Sequence, residues 1–538
     1  MKKAFDLAWK HGILYTLHKW GIRGNLAYFI EGFLKQRSSV VRLGPLLSDS
    51  FTQENGVPQG SVLSTTLFNV LINGVSEVIH LPVKHIIFAD DLAIFLPCTD
   101  VKIGQEILQS TVDKIHSWSN LNSFVISPEK TTAIHFCRRR GCNHGLDISI
   151  NNRHIPRLNT VRYLGLLLDE KLSWKEHIAS LKKSSMKKLN LMKKLAHSSY
   201  GADTTTLMKI YRSVVRSKLD YGAAAYSNAR NSVLNSLNSI HHAGIRLTLG
   251  AFQTSPTISL LHNASEWSLS LRRRYLTINS LTHTATVPNL PLSIKYDNLA
   301  DRWNHVPLTQ RTLSALSSID LHLPNLLLLE VNPFPPWEKN SLKVDLTLTS
   351  FDKKITPRHI VHTAYKQMLS RYPNSSCLYT DGSRSDTGVG CAVVSGSCIL
   401  AQCSLPSHFS IFSAELYAIK TAAESVKQHT DNYLILSNSL SSLSALLELN
   451  SSSSTKRHPL VCQIGALVMA STSHIVFVWI PSHVGIPEND LADAAAKEAS
   501  VLFPLPNSAV PSSDFKNLVK IHLNQCLEQH LGGTVLNK

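Results

Sequence analysis

The sequence predicts a multidomain α/β (α+β) protein whose C-terminal part is a mixed sheet flanked by helices. The chain has 538 residues, which at roughly 100–200 residues per domain allows three or four domains. Its composition, 43% hydrophobic and 17% charged, is ordinary for a chain that fills several cores and too apolar for a mainly disordered one. Charge then divides it. Residues 374–500 hold six Lys and Arg against ten Asp and Glu, whereas the whole chain has 54 against 37. A basic body is therefore joined to a separate acidic domain. The overall surplus of +17 points to a polyanionic partner, nucleic acid before membrane surface.

Several classes are excluded. Nine scattered cysteines with no C-x-x-C pair favour reduced thiols over a disulfide scaffold. Cys137, Cys142 and His144 have no second ligand pair at finger spacing, so the segment reads as an Arg-rich loop and not as a zinc site. Asp6, Lys10 and His11 interrupt any secretory signal after Met1. No stretch approaches the roughly 18 apolar residues that a spanning helix needs. The expectation is an intracellular protein of nucleus or cytoplasm, neither secreted nor membrane-bound, with protein partners unknown.

In the basic body, Asn55 to Ser61 reads as a turn leading into a helix from about Leu63 to Ile72. Residues 84–96 place two acids among apolar β-formers, which predicts a hairpin with Asp90 and Asp91 at its tip. Crowding two like charges costs free energy unless a cation offsets it, although a solvent-facing acidic turn has the same pattern. Further on, Ile178, Leu181, Leu189, Met192 and Leu195 share one helical stripe, and Lys182, Lys183, Lys187, Lys188, Lys193 and Lys194 lie off it. Six lysines with no intervening acid suit contact with phosphates.

From about Ser255 to Tyr372, Pro288, Pro291, Pro307, Pro324 and the run Pro333 to Trp337 predict an extended connector in place of long helices or central strands. Leu326 to Leu329 suggests that part of it packs on a neighbour.

The acidic domain reads as three short strands within residues 376–403, then a helix from Ser413 to about Gln428. A strand over Tyr433 to Leu436 and a helix over Ser439 to Leu449 follow. The last elements are a strand over Ile475 to Ile480 and a helix over Asn489 to Ser500, with Asp493 in its first turn. Ser451 to Ser454 is a loop. Acids at strand ends and helix starts suit a metal site at one sheet edge, because Mg²⁺ prefers hard oxygen ligands.

Tyr379-Thr380-Asp381-Gly382-Ser383, Ala414-Glu415-Leu416 and Trp479-Ile480-Pro481-Ser482-His483 with Asp490-Leu491-Ala492-Asp493 resemble the ribonuclease H domain in order and spacing over about 125 residues. By that resemblance Asp381, Glu415 and Asp493 are three of four metal-binding carboxylates, and His483 is the mobile-loop histidine that assists proton transfer or product release. The sequence departs at the fourth acid, where Asn438 stands in place of an aspartate. An amide carries no charge and binds Mg²⁺ far less well.

The body resembles the palm and thumb of a right-hand polymerase, in particular the reverse transcriptase of non-LTR (LINE-type, jockey-like) retrotransposons. Phe88-Ala89-Asp90-Asp91 matches the catalytic loop, with Asp90 a metal ligand. Gln59 and Gly60 lie in the motif contacting template and incoming nucleotide, and Lys130 in Ser127-Pro128-Glu129-Lys130-Thr131 approaches nucleotide phosphates. Tyr163-Leu164-Gly165 through Trp174 resembles the primer grip, and the lysine-rich helix the thumb. Lys3-Ala4-Phe5-Asp6 matches the end of the first catalytic motif, with Phe5 as the steric gate. Counted back from Phe5, the metal-bridging aspartate falls one residue before Met1, so the expectation is an N-terminally shortened frame with Met1 an internal methionine.

The resemblance implies a partial palm at 1–135, primer grip and helical thumb at 136–256, a Pro-rich connector at 257–372, ribonuclease H at 373–500 and a tail at 501–538. It implies Mg²⁺, two per site, with Mn²⁺ as a substitute, and RNA–DNA hybrid and template–primer duplex as partners. The expected activity is cleavage of RNA in hybrids by two-metal phosphodiester hydrolysis, with the polymerase part inactive as given. The alternative is a catalytically dead, nucleic-acid-binding remnant of a mobile element.

Overall fold

The computed structural model describes residues 1, 3–35, 37–139, 145–197, 200–288, 307–329, 342–351, 356–450, 458–503 and 508–535. Cys142, His144, the Pro333 to Trp337 run and Ser451 to Ser454 lie outside them. The chain divides into two compact units, Met1–Ser180 and Leu181–Lys538. No described helix is long and apolar enough to cross a membrane.

In the first unit, helices α1 (Lys10–Lys19), α2 (Asn25–Leu34) and α3 (Val62–Ile72) bury Ile13, Leu17, Ile30, Leu34, Leu67 and Phe68 in one core. The turn before α3 is tied to the N-terminal segment. Val57 N–H donates to the Phe5 carbonyl at 2.9 Å and Gly56 N–H to that of Ala8 at 2.9 Å. Gly56 has φ +90°, and a Cβ there would lie 2.7 Å from the Asp6 carbonyl oxygen, so this crossing needs glycine twice over. The expected hairpin forms from β1 (Lys84–Phe88) and β2 (Asp91–Phe95), with Phe88 opposite Asp91. Helix α4 (Val101–Leu121) starts where the Asp100 side chain accepts the Lys102 N–H. A second hairpin, β3 (Thr160–Tyr163) and β4 (Leu166–Asp169), turns on Leu164 and Gly165, both at positive φ. Such paired left-handed residues match the twist of two antiparallel strands. The turn after it is held by Asp169, which accepts the Ser173 and Trp174 N–H groups at 2.9 and 2.7 Å.

Helix α5 (Lys175–Leu195) buries Ile178, Leu181, Leu189 and Met192, as its stripe predicts. Leu195 is exposed and falls outside the stripe.

The second unit corrects the expectation of a helix-poor connector. Residues 269–286 form an 18-residue helix, α6 (Leu269–Thr286), which begins where the Ser268 side chain accepts the Leu271 N–H. The physical reason is local. No proline falls between Pro256 and Pro288, so the span between them is free to be helical. Helices α7 (Pro307–Ser317) and α8 (Arg358–Ser370) follow, and Leu326 and Leu327 do pack on the core, Leu327 N–H donating to the Val510 carbonyl at 3.0 Å.

The acidic region builds a six-stranded sheet from β5 (Lys343–Asp345), β6 (Ser375–Arg384), β7 (Val389–Ser395), β8 (Cys398–Leu405), β9 (Asn432–Ser437) and β10 (His474–Trp479). The order is β5-β10-β9-β6-β7-β8. The first four are mutually parallel, and β7 and β8 add antiparallel. Around the sheet stand α9 (Ile411–Val426), α10 (Leu440–Leu447), α11 (Pro459–Met469) and α12 (Pro487–Ala499), and α13 (Ser512–Val535) follows them. Its inner faces bury Leu378, Val393, Leu416, Ile419, Ile435 and Phe477, among others. Helix α12 starts two residues earlier than expected, with Pro487 in its first turn. Asp493 therefore lies in the second turn, because proline's fixed φ pre-forms a helix start that the acidic pattern had suggested later.

Candidate active sites

Asp381 lies within the central strand β6, and its Cα partner on β7 is Ala392. Asp381 is 3% exposed and Glu415, in the second turn of α9, is 7% exposed. Helix and strand approach closely because residue 382 is glycine: a Cβ there would lie 2.6 Å from the Glu415 amide nitrogen. On the other side of β6, Asn438 follows the end of β9, and its Nδ2 donates to Asp381 Oδ1 at 2.8 Å. Its carbonyl accepts the Trp479 indole N–H at 3.1 Å. Asp493 reaches the group from α12 and pairs with Lys497 one turn on, at 2.6 Å.

Burial dominates the electrostatics. Desolvation pushes the Asp381 carboxyl up to about 7, the Asn438 amide pulls it down and the nearby Asp493 charge raises it. Burial, with the Asp381 and Asp493 charges, also holds Glu415 well above the ordinary carboxylate range, against a hydrogen bond from the Gly382 backbone. Glu415 Oε2 is buried without a hydrogen-bond partner. Two buried acids that resist ionisation, one with an orphaned oxygen, are the donor set that a hard divalent cation would relieve. Among the described residues, however, no three His, Cys, Asp or Glu side chains stand together as a finished metal cage. Asn438 occupies one Asp381 oxygen and Lys497 engages Asp493 in its place. His483 is exposed, at φ +57°, on the loop between β10 and α12, whose Val484 and Ile486 are buried.

In the first unit, Asp90 and Asp91 close the β1–β2 hairpin as expected, and Ala89 beside them has φ +50°. Asp91 is exposed, and the Asp90 side chain is 44% exposed. The Met1 amino group donates to the Asp90 carbonyl at 3.1 Å. Phe5 stacks on Phe68 with centroids 4.2 Å apart. Gln59 and Gly60 are exposed, and Gln59 Nε2 donates to Asp6 Oδ1 at 3.0 Å, joining the two sequence motifs. Lys130 is exposed on the short helical turn Pro128–Lys130.

Residues 1–168 match the family described as reverse transcriptase (RNA-dependent DNA polymerase), and residues 373–501 match RNase H. One polypeptide thus carries a reverse transcriptase domain match and a ribonuclease H domain match. It is homologous to non-LTR retrotransposon polymerases. It is 28% identical over 259 residues to the RNA-directed DNA polymerase from mobile element jockey of Drosophila melanogaster, covering 47% of this chain and 28% of that protein. With the jockey polymerase of Drosophila funebris the identity is 27% over 258 residues, again 47% and 28%. The matched stretch thus spans 28% of the length of these relatives. Among solved structures, the compost-derived LC11-RNase H1 is 20% identical and aligns over 24% of this chain and 96% of its own, with a TM-score of 0.20.

Within the ribonuclease H domain the structure brings together Asp381, Glu415, Asn438 and Asp493, and leaves His483 on its own loop. In the reverse transcriptase region it places Phe5, Gln59 and the Asp90–Asp91 pair in one unit. Sequence reasoning missed Lys497 and Gly382. Lys497 had a legible signal, four residues after Asp493 on a helix. Gly382 carried only the ambiguity of any glycine in a strand.

Proposed function

We propose that the ribonuclease H domain is built to cut the RNA strand of RNA–DNA hybrids, and that Asn438 holds this copy at low activity. The reading rests on the buried pair Asp381 and Glu415, whose ionised forms the fold alone does not satisfy. Asp381, Glu415 and Asp493 would hold Mg²⁺, or Mn²⁺, two per site. The bound ions would activate water and neutralise the leaving oxygen of a phosphodiester. Asn438 contributes an N–H donor where a fourth carboxylate would contribute charge, so it satisfies Asp381 in the absence of a cation and weakens the demand for one. By our reading His483, exposed on its loop, would accept or return a proton at the scissile phosphate. The lysines of α5 supply sequence-independent contacts to phosphates.

For polymerisation, Asp90 and Asp91 supply the carboxylates of one motif. Phe5 gates the sugar, Gln59 and Gly60 contact template and nucleotide, and Lys130 approaches the phosphates. Growth of a strand needs carboxylates from a second motif as well. The domain limits we propose are 1–135 palm, 136–256 primer grip and thumb, 257–372 connector, 373–500 ribonuclease H and 501–538 tail.

A second reading, a catalytically silent hybrid-binding remnant, is favoured by the Asn438–Asp381 hydrogen bond. Incubating the full chain and its Asn438→Asp variant with end-labelled RNA–DNA hybrid and Mg²⁺ separates the two. Cleavage by the variant alone supports the first reading. Salt-sensitive binding with silence from both supports the second.

A further inference from the structure

Helix α8 (Arg358–Ser370) precedes residues 373–501, the stretch that matches the ribonuclease H family. Even so, it is packed into that domain. Val361, Tyr365 and Met368 are buried with Leu436, Ile480, Val484 and Ile486, and the Tyr365 hydroxyl meets the Tyr379 hydroxyl at 2.5 Å. One polar side chain on this helix faces the loop that carries His483. His362 is half-buried, and its Nε2 lies 3.1 Å from the Val484 carbonyl oxygen, to which it can only donate. The next residue, Gly485, has φ +86°, and a Cβ there would lie 3.7 Å from His362 Nε2. The loop therefore has a left-handed residue on each side of Val484, His483 at +57° and Gly485 at +86°. A non-glycine residue at such φ persists only where its surroundings hold it. Val484 and Ile486 are anchored by burial, and the carbonyl between His483 and Gly485 is anchored by His362.

We propose that His362 is a positioning residue for the His483 loop, so that a helix outside the family's own boundaries sets where the loop histidine stands. The proposal rests on the reading of His483 given above. It predicts that loss of the His362 donor frees residues 483–486 and lowers turnover through His483, leaving hybrid affinity alone.

The test uses the full chain in the Asn438→Asp background, with His362→Ala and His362→Gln, the latter keeping an N–H donor. Amide exchange at residues 483–486 should quicken on the order of fivefold in His362→Ala, the worth of one ordinary hydrogen bond, and return toward the parent rate in His362→Gln. Multiple-turnover kcat should fall by a similar factor with KM for hybrid unchanged. In a His483→Ala chain, His362→Ala should cost nothing further. Unchanged exchange in His362→Ala overturns the proposal, as does an equal loss of turnover with His483 absent. If no variant cleaves, the functional reading fails, and the exchange measurement still decides whether His362 holds the loop.

Discussion

Asp381 and Glu415 lie between a six-stranded sheet and the helix packed on it, 3% and 7% exposed, whereas Asp90 and Asp91 close a two-stranded hairpin on which the Asp90 side chain is 44% exposed. The first pair joins an acid of a central strand to an acid of the helix packed on it, the second closes a hairpin, and both are candidate catalytic carboxylates by sequence. They differ in how far the fold commits them. Water can stabilise the hairpin pair, so those aspartates make small demands on their neighbours. The buried pair is stabilised by whatever the protein supplies: the Asn438 amide, the Gly382 backbone and, by our reading, a cation. Burial thus converts a carboxylate from a surface charge into a requirement.

The largest expected effect tests that requirement directly. Asn438→Asp replaces a donor with a fourth charge, and Mg²⁺-dependent hybrid cleavage should rise on the order of 100-fold or more, about 3 kcal/mol of barrier. An unchanged rate in a gel assay would show that three carboxylates already suffice. Next comes Gly382→Ala, whose added carbon would meet the Glu415 amide at 2.6 Å. It should destabilise the domain by about 2–3 kcal/mol in urea unfolding, and a cost under about 0.5 kcal/mol would mean that helix and strand separate easily.

A smaller effect of opposite sign is expected for Asp381→Asn. Asp381 is raised from 3.8 to about 7, so between those values the folded chain keeps a proton that the unfolded chain has lost. Stability should therefore fall as pH rises through that window, and the full cost should be present above it. With chelator at pH 8, Asp381→Asn should be more stable by about 1–2 kcal/mol and cleave nothing. A variant that melts below its parent would break the contrast between buried and exposed acids. At the small end, Asp91→Asn on the exposed hairpin should change unfolding free energy by under about 0.5 kcal/mol. A larger change would show that the hairpin acids too are committed by the fold.

The elements around these sites differ in how far they could be read from sequence. Strands β6 to β8 and helix α9 were legible because small and apolar residues alternate, then recur at helical spacing, from Leu378 to Val426. The Asp90–Asp91 hairpin was legible for the same reason. Helix α6 was not, because proline density over the whole seam hides the proline-free span between Pro256 and Pro288. Strand β5 is three residues long, too short for any period, and its partnership with β10 is a tertiary fact. The identity of Asn438 was plain in the sequence, but not the direction of its amide, which depends on how β9 sets it against Asp381. Nor could the His362 contact be read, since 122 residues separate the partners.

Strand β5 has one more consequence. It lies along β10, whose run His474-Ile475-Val476-Phe477-Val478-Trp479 would otherwise be the outer strand of the sheet. An uncovered edge of that composition, β-branched and aromatic with no charge other than its leading histidine, is a template for chain-to-chain pairing. A fragment cut at residue 373, where the ribonuclease H match begins, leaves this edge bare and should self-associate. One that begins at or before residue 342 carries its own guard strand and should stay monodisperse in light scattering.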